Sequence, residues 1–278
     1  MVNLFGDGFI GSHFRSKYPC ITNRKADIQP IKICQNVLYT ISTVDNYNVL
    51  VNPYIDIDTN LTHLVRVLEQ FKIMQDKTNN RHVFNFVSSW FVYGDCKLPA
   101  TEKSYCNPKG FYSITKRTAE QLLISYCETY NLDYRIFRLA NVIGDGDEKV
   151  SKRKNALTYL LNKIKTDQKI ELYHNGYFYR DYIHVDDVID IMFYIMGTSS
   201  HKNEIFNISN GKKIMFRDLI DHAMSSCGSK SKIISVKPTK FHDIVQVKDM
   251  VLDNSKIKSL GYEPKIDILD FISRYVND

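Results

Sequence analysis

The six cysteines are never paired in sequence. Cys20, Cys34, Cys96, Cys106, Cys127 and Cys227 are scattered, with no CxxC and no histidine at metal-ligand spacing. This excludes a disulfide scaffold and leaves reduced thiols, with no metal expected. Long apolar runs are missing as well, since no stretch approaches the ~20 residues that span a bilayer. The first apolar run, Val2 to Phe5, breaks at once on glycine. It has neither the basic segment nor the long apolar segment of a signal peptide. The expectation is a soluble, cytoplasmic protein without a membrane partner. A concentrated basic stripe is absent too: 37 basic against 31 acidic residues give +6, spread along the chain. That surplus suits a phosphorylated small molecule, and a nucleic-acid partner is not expected. Repeats and low-complexity tracts are lacking. The 278 residues, 44% hydrophobic and 24% charged, exclude disorder and collagen-like sequence and can bury a sizeable core.

What is present is an alternation of apolar runs and amphipathic stretches, the pattern of βαβ units around a parallel sheet. Strands are expected at 2–5, 20–22, 36–41, 82–87 and 134–139. Helices are expected at 8–18, 61–74 and 112–130; the second carries Leu61, Leu64, Val65, Leu68 and Phe71 at helical spacing. After Gly144 a polar, glycine-bearing stretch to 154 reads as a loop into a smaller region. That region holds helices at 155–165, 186–196 and 216–224 and strands at 170–173 and 205–208.

Gly6-Asp7-Gly8-Phe9-Ile10-Gly11 is a GxGxxG directly after a strand and directly before a helix. Its glycines allow a tight turn, and the helix N-terminus offers unpaired N–H groups to a pyrophosphate. The spacing also arises by chance, but its strand–turn–helix setting points to a dinucleotide. An acidic residue about twenty positions on normally holds the ribose of NAD. Here Thr22-Asn23-Arg24-Lys25 supplies cations instead, and the first carboxylate is Asp27. Arg24 and Lys25 suit a 2′-phosphate, so NADP(H) is favoured, with NAD(H) the other option; both side chains can equally be read as solvated loop charges.

Tyr112 and Lys116 stand one helical turn apart on one face. An ammonium beside a phenol lowers its pKa and makes it a usable proton donor or acceptor. Ser89 closes the apolar strand 82–87, at the end where α/β proteins bind ligands, and can hydrogen-bond a reacting oxygen. Alone, a YxxxK pair is equally an ordinary feature of an amphipathic helix.

Taken together these residues resemble the extended short-chain dehydrogenase/reductase family of nucleotide-sugar epimerases, dehydratases and reductases. The resemblance runs through Gly6–Gly11, Asn52-Pro53 to Asp58-Thr59-Asn60, Ser88-Ser89 before Val92-Tyr93-Gly94, and Tyr112/Lys116. It continues through Arg138-Leu139-Ala140-Asn141-Val142-Ile143-Gly144, the segment from Arg180 to Asp187, Phe206-Asn207-Ile208-Ser209-Asn210-Gly211, and Leu260-Gly261-Tyr262-Glu263-Pro264. It implies an α/β fold, a Rossmann-like doubly wound parallel sheet with a smaller, mostly C-terminal substrate-binding domain. Residues 1–145 would form the dinucleotide-binding domain, 181–210 would return to it, and 146–278 would form the smaller nucleotide-sugar-binding region.

The resemblance also implies roles. Tyr112 would be the acid/base, Ser89 would bind the reacting oxygen, and Lys116 would hold the nicotinamide ribose and tune Tyr112. Gly6, Gly8, Phe9, Ile10, Gly11 and Arg24 would contact the dinucleotide. Asn141 would touch the substrate diphosphate or the sugar, Arg180 would bind the diphosphate, Tyr173 would lie against the base or ribose, and Lys240 and Asp243 would reach the nucleotide. Tyr173 reads equally well as a strand tyrosine. A nucleotide-diphosphate sugar is the expected partner, and a homodimer is expected through helices 61–74 and 112–130. Three departures stand out. One residue, not two, separates Gly6 from Gly8. Tyr39-Thr40-Ile41-Ser42 replaces a His-x-Ala-Ala segment. The stretch between Thr22 and Asn36 is too short for the usual helix there.

Among reactions, 4,6-dehydration needs an Asp-Glu pair after the serine, where this chain has Trp90 and Phe91. The cysteine of the enzyme that makes GDP-fucose is missing from the same region. Reduction of an NDP-4-keto-6-deoxyhexose by NADPH is favoured, and C4 epimerisation with tightly held NAD is the alternative. A non-catalytic dinucleotide-binding or RNA-associated module is the remote one, because such a module has no need of Ser89, Tyr112 and Lys116 together.

Overall fold

A computed structural model describes residues 1–24, 36–147 and 155–278. The first strand, β1 (Val2–Phe5), turns through Gly6 into α1 (Phe9–Lys17), and β2 (Cys20–Asn23) follows. Then come β3 (Asn36–Tyr39), α2 (Tyr54–Ile57), α3 (His63–Asp76) and β4 (Val83–Ser89). The long helix α4 (Phe111–Thr129) leads to β5 (Asp133–Leu139) and β6 (Asn141–Ile143). Next are α5 (Ala156–Ile164), β7 (Ile170–Tyr173), β8 (Tyr179–Arg180), β9 (Tyr182–His184), α6 (Val185–Gly197) and β10 (Glu204–Ile208). The chain ends with β11 (Ile214–Met215), α7 (Phe216–Cys227), β12 (Ile233–Val236), α8 (Lys240–Val245), α9 (Ser255–Ser259) and α10 (Ile268–Asn277).

Six strands form one sheet in the order β10-β5-β4-β3-β1-β2, and every pairing in it is parallel. Alternation along the strands explains the two apolar layers. Leu4, Leu38, Val87 and Phe137 face one side, where they meet Phe14 of α1 and Ile189, Met192 and Ile195 of α6. Phe5, Val37, Tyr39, Phe84, Phe86 and Ile136 face the other, against Leu64, Leu68 and Phe71 of α3 and Ala119 and Leu123 of α4. Burial of each such side chain contributes about 1.5–3 kcal/mol. The sheet is therefore doubly wound, as expected. From β1 the chain steps outward to β2 and then crosses back to β3, so the strand order reverses between β1 and β3. Ligands of such sheets bind outside the carboxyl ends of the strands at that reversal.

A third apolar cluster joins Leu157 and Leu161 of α5, Leu172 of β7, Leu219 and Ile220 of α7, and Phe271 and Ile272 of α10. The sequence reading does not include α10. Its apolar residues Ile268, Phe271, Ile272 and Val276 are buried at helical spacing, and Asp267 caps it by accepting from the amides of Leu269 and Asp270 at 2.8 and 3.4 Å. Lys25, the segment to Asn36 said to lack room for a helix, and residues 148–154 of the polar loop lie outside the described residues.

Candidate active site

The glycine loop sits at the reversal point. The Gly6 amide donates to Asn23 O at 2.9 Å, and the Thr40 amide donates to Phe5 O at 2.7 Å, so β1, β2 and β3 converge on it. Gly6 has φ +113°, and a Cβ there would lie 2.4 Å from Thr40 Oγ1. A Cβ on Gly11 would stand 2.1 Å from Gly6 O, whereas one on Gly8 would meet nothing within 4 Å. Gly6 and Gly11 are thus dictated by packing. Gly8 leaves an open side over the first turn of α1, where the amides of Phe9, Ile10 and Gly11 lack intrahelical acceptors. That cradle fits a pyrophosphate. At its rim Arg24 pairs with Asp7 of the loop at 3.2 Å and is 69% exposed, while Arg15 takes the other Asp7 oxygen at 3.2 Å.

Ser89 ends β4, where its hydroxyl accepts from the Phe91 amide at 3.3 Å. Tyr112 is the second residue of α4 and is buried. Its hydroxyl faces Ser89 and also Ser42, in the loop after β3. Burial pushes its pKa up, hydrogen bonding from the two serines pulls it down, and the charge of Asp56 raises it; the net direction is upward. Lys116 is not among the groups setting that direction. Lys116 Nζ instead donates to Val87 O at 2.7 Å and lies over the Phe86 ring at 4.2 Å. Burial lowers its pKa to about 7, against the opposing pull of Glu120.

The remaining residues of the expected site gather less tightly. Asn141 binds the Asp181 carbonyl through its amide and its Nδ2 at 3.1 and 3.0 Å. The Arg180 guanidinium donates to the carbonyls of Tyr179 and Val247 at 2.9 Å and to that of Lys248. It also lies 5.4 Å from the Trp90 ring, and burial draws its pKa down to about 10. Tyr173 packs on His242 of α8 with ring centroids 4.4 Å apart, and Lys240 and Asp243 on the same helix are exposed.

Sequence reasoning gave no role to Ser42, Asp56 or Tyr47. Asp56 is fully buried on α2 and accepts from Asn48 Nδ2 at 3.0 Å. Tyr47 packs on Phe241 of α8 at 5.0 Å. The altered His-x-Ala-Ala segment was the one available signal for Ser42; nothing local marks Asp56.

The model of the NAD dependent epimerase/dehydratase family matches residues 24–209, more than half of the chain. The chain belongs to this family. Membership makes it an enzyme, of a family described by its dependence on NAD. Because the match starts at residue 24, the glycine loop rests on its own geometry. A relative in Methanocaldococcus jannaschii, described as "Putative UDP-glucose 4-epimerase", is 27% identical across 98% of this chain and 95% of its own length. The UDP-glucose 4-epimerase of Thermotoga maritima, solved with UDP-glucose, superposes with a TM-score of 0.85 at 22% identity, over 99% of this chain and 97% of that one. RMD of Pseudomonas aeruginosa, solved with NADPH, gives a TM-score of 0.83 at 16% identity, over 99% and 97%. At such identities the two structures show a shared fold.

Proposed function

We propose that this family member is a nucleotide-sugar C4 epimerase acting on a UDP-linked hexose, with Tyr112 as its acid/base. The observation that carries the reading is the end-to-end likeness to the M. jannaschii relative, 98% of one chain on 95% of the other. The grouping of Ser89, Tyr112 and Lys116 at the carboxyl ends of the strands supports it. Tyr112 takes the proton of the sugar 4-hydroxyl while Ser89 holds that oxygen, and Tyr112 returns the proton once the keto sugar has turned. When bound, the dinucleotide supplies a hydride acceptor that later gives the hydride back. Gly6–Gly11 and the first turn of α1 would hold its pyrophosphate, and Lys116 its ribose. Arg180 and Asn141 would anchor the substrate diphosphate, with Tyr173, Lys240 and Asp243 toward the nucleoside. The third apolar cluster would be the core of the substrate region. Trp90 and Phe91 carry no titratable group, and the Phe91 ring lies edge-on to Tyr112 at 6.0 Å, so elimination of water is not served.

A second reading, reduction of a 4-keto sugar by NADPH, is favoured by one observation, Arg24 at the rim of the glycine loop. The experiment is to release and identify any dinucleotide carried by the purified protein. Turnover of UDP-glucose and UDP-galactose is then followed without added cofactor, and NADPH oxidation is followed with a 4-keto-6-deoxy sugar nucleotide. Epimerisation on carried NAD supports the first reading. Stoichiometric NADPH consumption without epimerisation moves the assignment to the reductase, and no turnover in either assay overturns both.

A further inference from the structure

We infer that Ser42 is a positioning residue of this reaction, a second hydroxyl that supports the Tyr112 oxygen when the phenol gives up its proton. The inference rests on the reading of Tyr112 as the acid/base. Ser42 stands where the family pattern it departs from has alanine, and its hydroxyl faces that of Tyr112. A ring of hydrogen bonds fixes it there. Ser42 Oγ donates to Thr43 O at 2.7 Å or to Asn60 Oδ1 at 3.2 Å. Asn60 accepts from the Thr43 amide at 3.0 Å and donates to Thr43 Oγ1 at 2.8 Å and to Thr115 Oγ1 at 3.0 Å. Thr115 in turn donates to the Tyr112 carbonyl at 2.9 Å. The loop after β3 is thereby clamped to the first turn of α4, the turn that bears the acid/base.

A hydroxyl has one hydrogen and two acceptor sites. With Tyr112 protonated, Ser42 can give its hydrogen to Thr43 O and still accept from the phenol. When Tyr112 ionises, a rotation about Cβ–Oγ turns the same hydrogen toward the phenolate, and no atom need move further. The other groups around the phenol leave room for this role. Asp56, from α2, opposes ionisation by its charge, Ser89 approaches from β4, and Lys116, one turn along α4, is drawn to the Val87 carbonyl. Phe91 presents only a ring edge.

Ser42→Ala removes the hydroxyl and leaves the Asn60 bonds to Thr43 and Thr115 in place, so the loop should keep its path. We expect turnover to fall roughly two- to ten-fold, the worth of one neutral hydrogen bond, with KM unchanged. The limb of the kcat–pH profile that reports Tyr112 should move upward, because the lost bond favoured the phenolate. Ser42→Thr should restore both. Tyr112→Phe, run alongside, separates the two ideas. If it keeps full turnover the acid/base reading is wrong, and if it is inactive while Ser42→Ala matches the parent, the Ser42 role alone is wrong. A readout independent of turnover is the Tyr112 resonance in protein labelled at tyrosine 13Cζ, assigned by its loss in Tyr112→Phe. Its titration should shift upward in Ser42→Ala and return in Ser42→Thr, and a resonance indifferent to both variants overturns the proposal.

Discussion

Lys116 is a buried amine held by the Val87 carbonyl at 2.7 Å, and its position costs stability in a way that can be read against pH. A lysine in the unfolded chain ionises at 10.5, but in this fold burial lowers that to about 7. Between those values the unfolded state binds more protons, so stability rises with pH across the window, and the cost is fully present at or below pH 7. Each tenfold loss of proton affinity is worth about 1.4 kcal/mol. Lys116→Met keeps much of the volume without the charge. The ligand-free protein should therefore melt higher at pH 7, by a margin that shrinks towards pH 10, while turnover falls. Thermal unfolding at pH 7 and at about pH 9.5 checks this; an equal margin at both would show that burial of the charge is not the cause. Arg24 tests the cofactor in the same spirit. A charge-assisted contact contributes about 1.5–3 kcal/mol, but Arg24 is 69% exposed and already shared with Asp7, so solvent screening argues for the low end. Arg24→Ala should weaken NADPH about ten-fold and leave NADH nearly unchanged, and titration with both cofactors would expose equal losses if no 2′-phosphate sits there.

At the scale of the element, α4 does more than carry the YxxxK pair. Four residues beyond Lys116, Glu120 is fully buried and accepts from Arg138 at 3.0 and 2.7 Å, Ser88 at 2.6 Å and Arg117 at 2.8 Å. This ties the helix to the ends of β4, which closes on Ser89, and of β5. Burial raises the Glu120 pKa, but the bonds from Arg138, Ser88 and Arg117 outweigh it and hold the carboxyl below its usual range. Its contribution is therefore present above pH 4.5 and lost as pH falls through the folded value. Glu120→Gln keeps the shape and leaves Arg138, 1% exposed, without its counter-charge. A loss of about 3–5 kcal/mol is expected in urea unfolding at pH 7, shrinking as pH falls through the folded value of the parent carboxyl. The elements themselves were legible in sequence because α3 and α4 each bury an apolar stripe, and β4 and β5 are compact, mostly apolar runs interrupted by the buried Asn85, Arg135 and Arg138. Tyr112 and Lys116 were legible because their spacing is local. Ser42 and Glu120 were not, since their partners Asn60 and Arg138 reach them only once the sheet has formed. Asp58–Thr62 also escaped, because its widened helical turn is a hydrogen-bond pattern with no apolar period of its own.

At the scale of the whole molecule, both helical layers on the sheet leave apolar side chains exposed, Phe193 and Tyr194 of α6 among them. On one side α1 and α6 are joined by further packing from Val247, Met250, Leu252 and Ile257. On the other, α3 and α4 bury their inner faces yet leave Ile73, Ile114, Leu122 and Tyr130 between 39% and 46% exposed. A two-fold pairing of this outer face with itself would cover these residues and present each patch to its own copy. A stable pairing needs about 800 Å² from each partner, which two helices of 14 and 19 residues can supply. Because Tyr112 lies in the first turn of α4, such a contact would also stiffen the helix that carries it. The particle in light scattering should therefore have twice the 32.4 kDa chain mass. Leu122→Glu, at an exposed position away from Tyr112, should reduce it to one chain and lower turnover more than it lowers the melting temperature of the isolated protomer. A parent protein that scatters as a single 32.4 kDa chain at micromolar concentration would show that this face meets water, and the four apolar side chains would then need another partner.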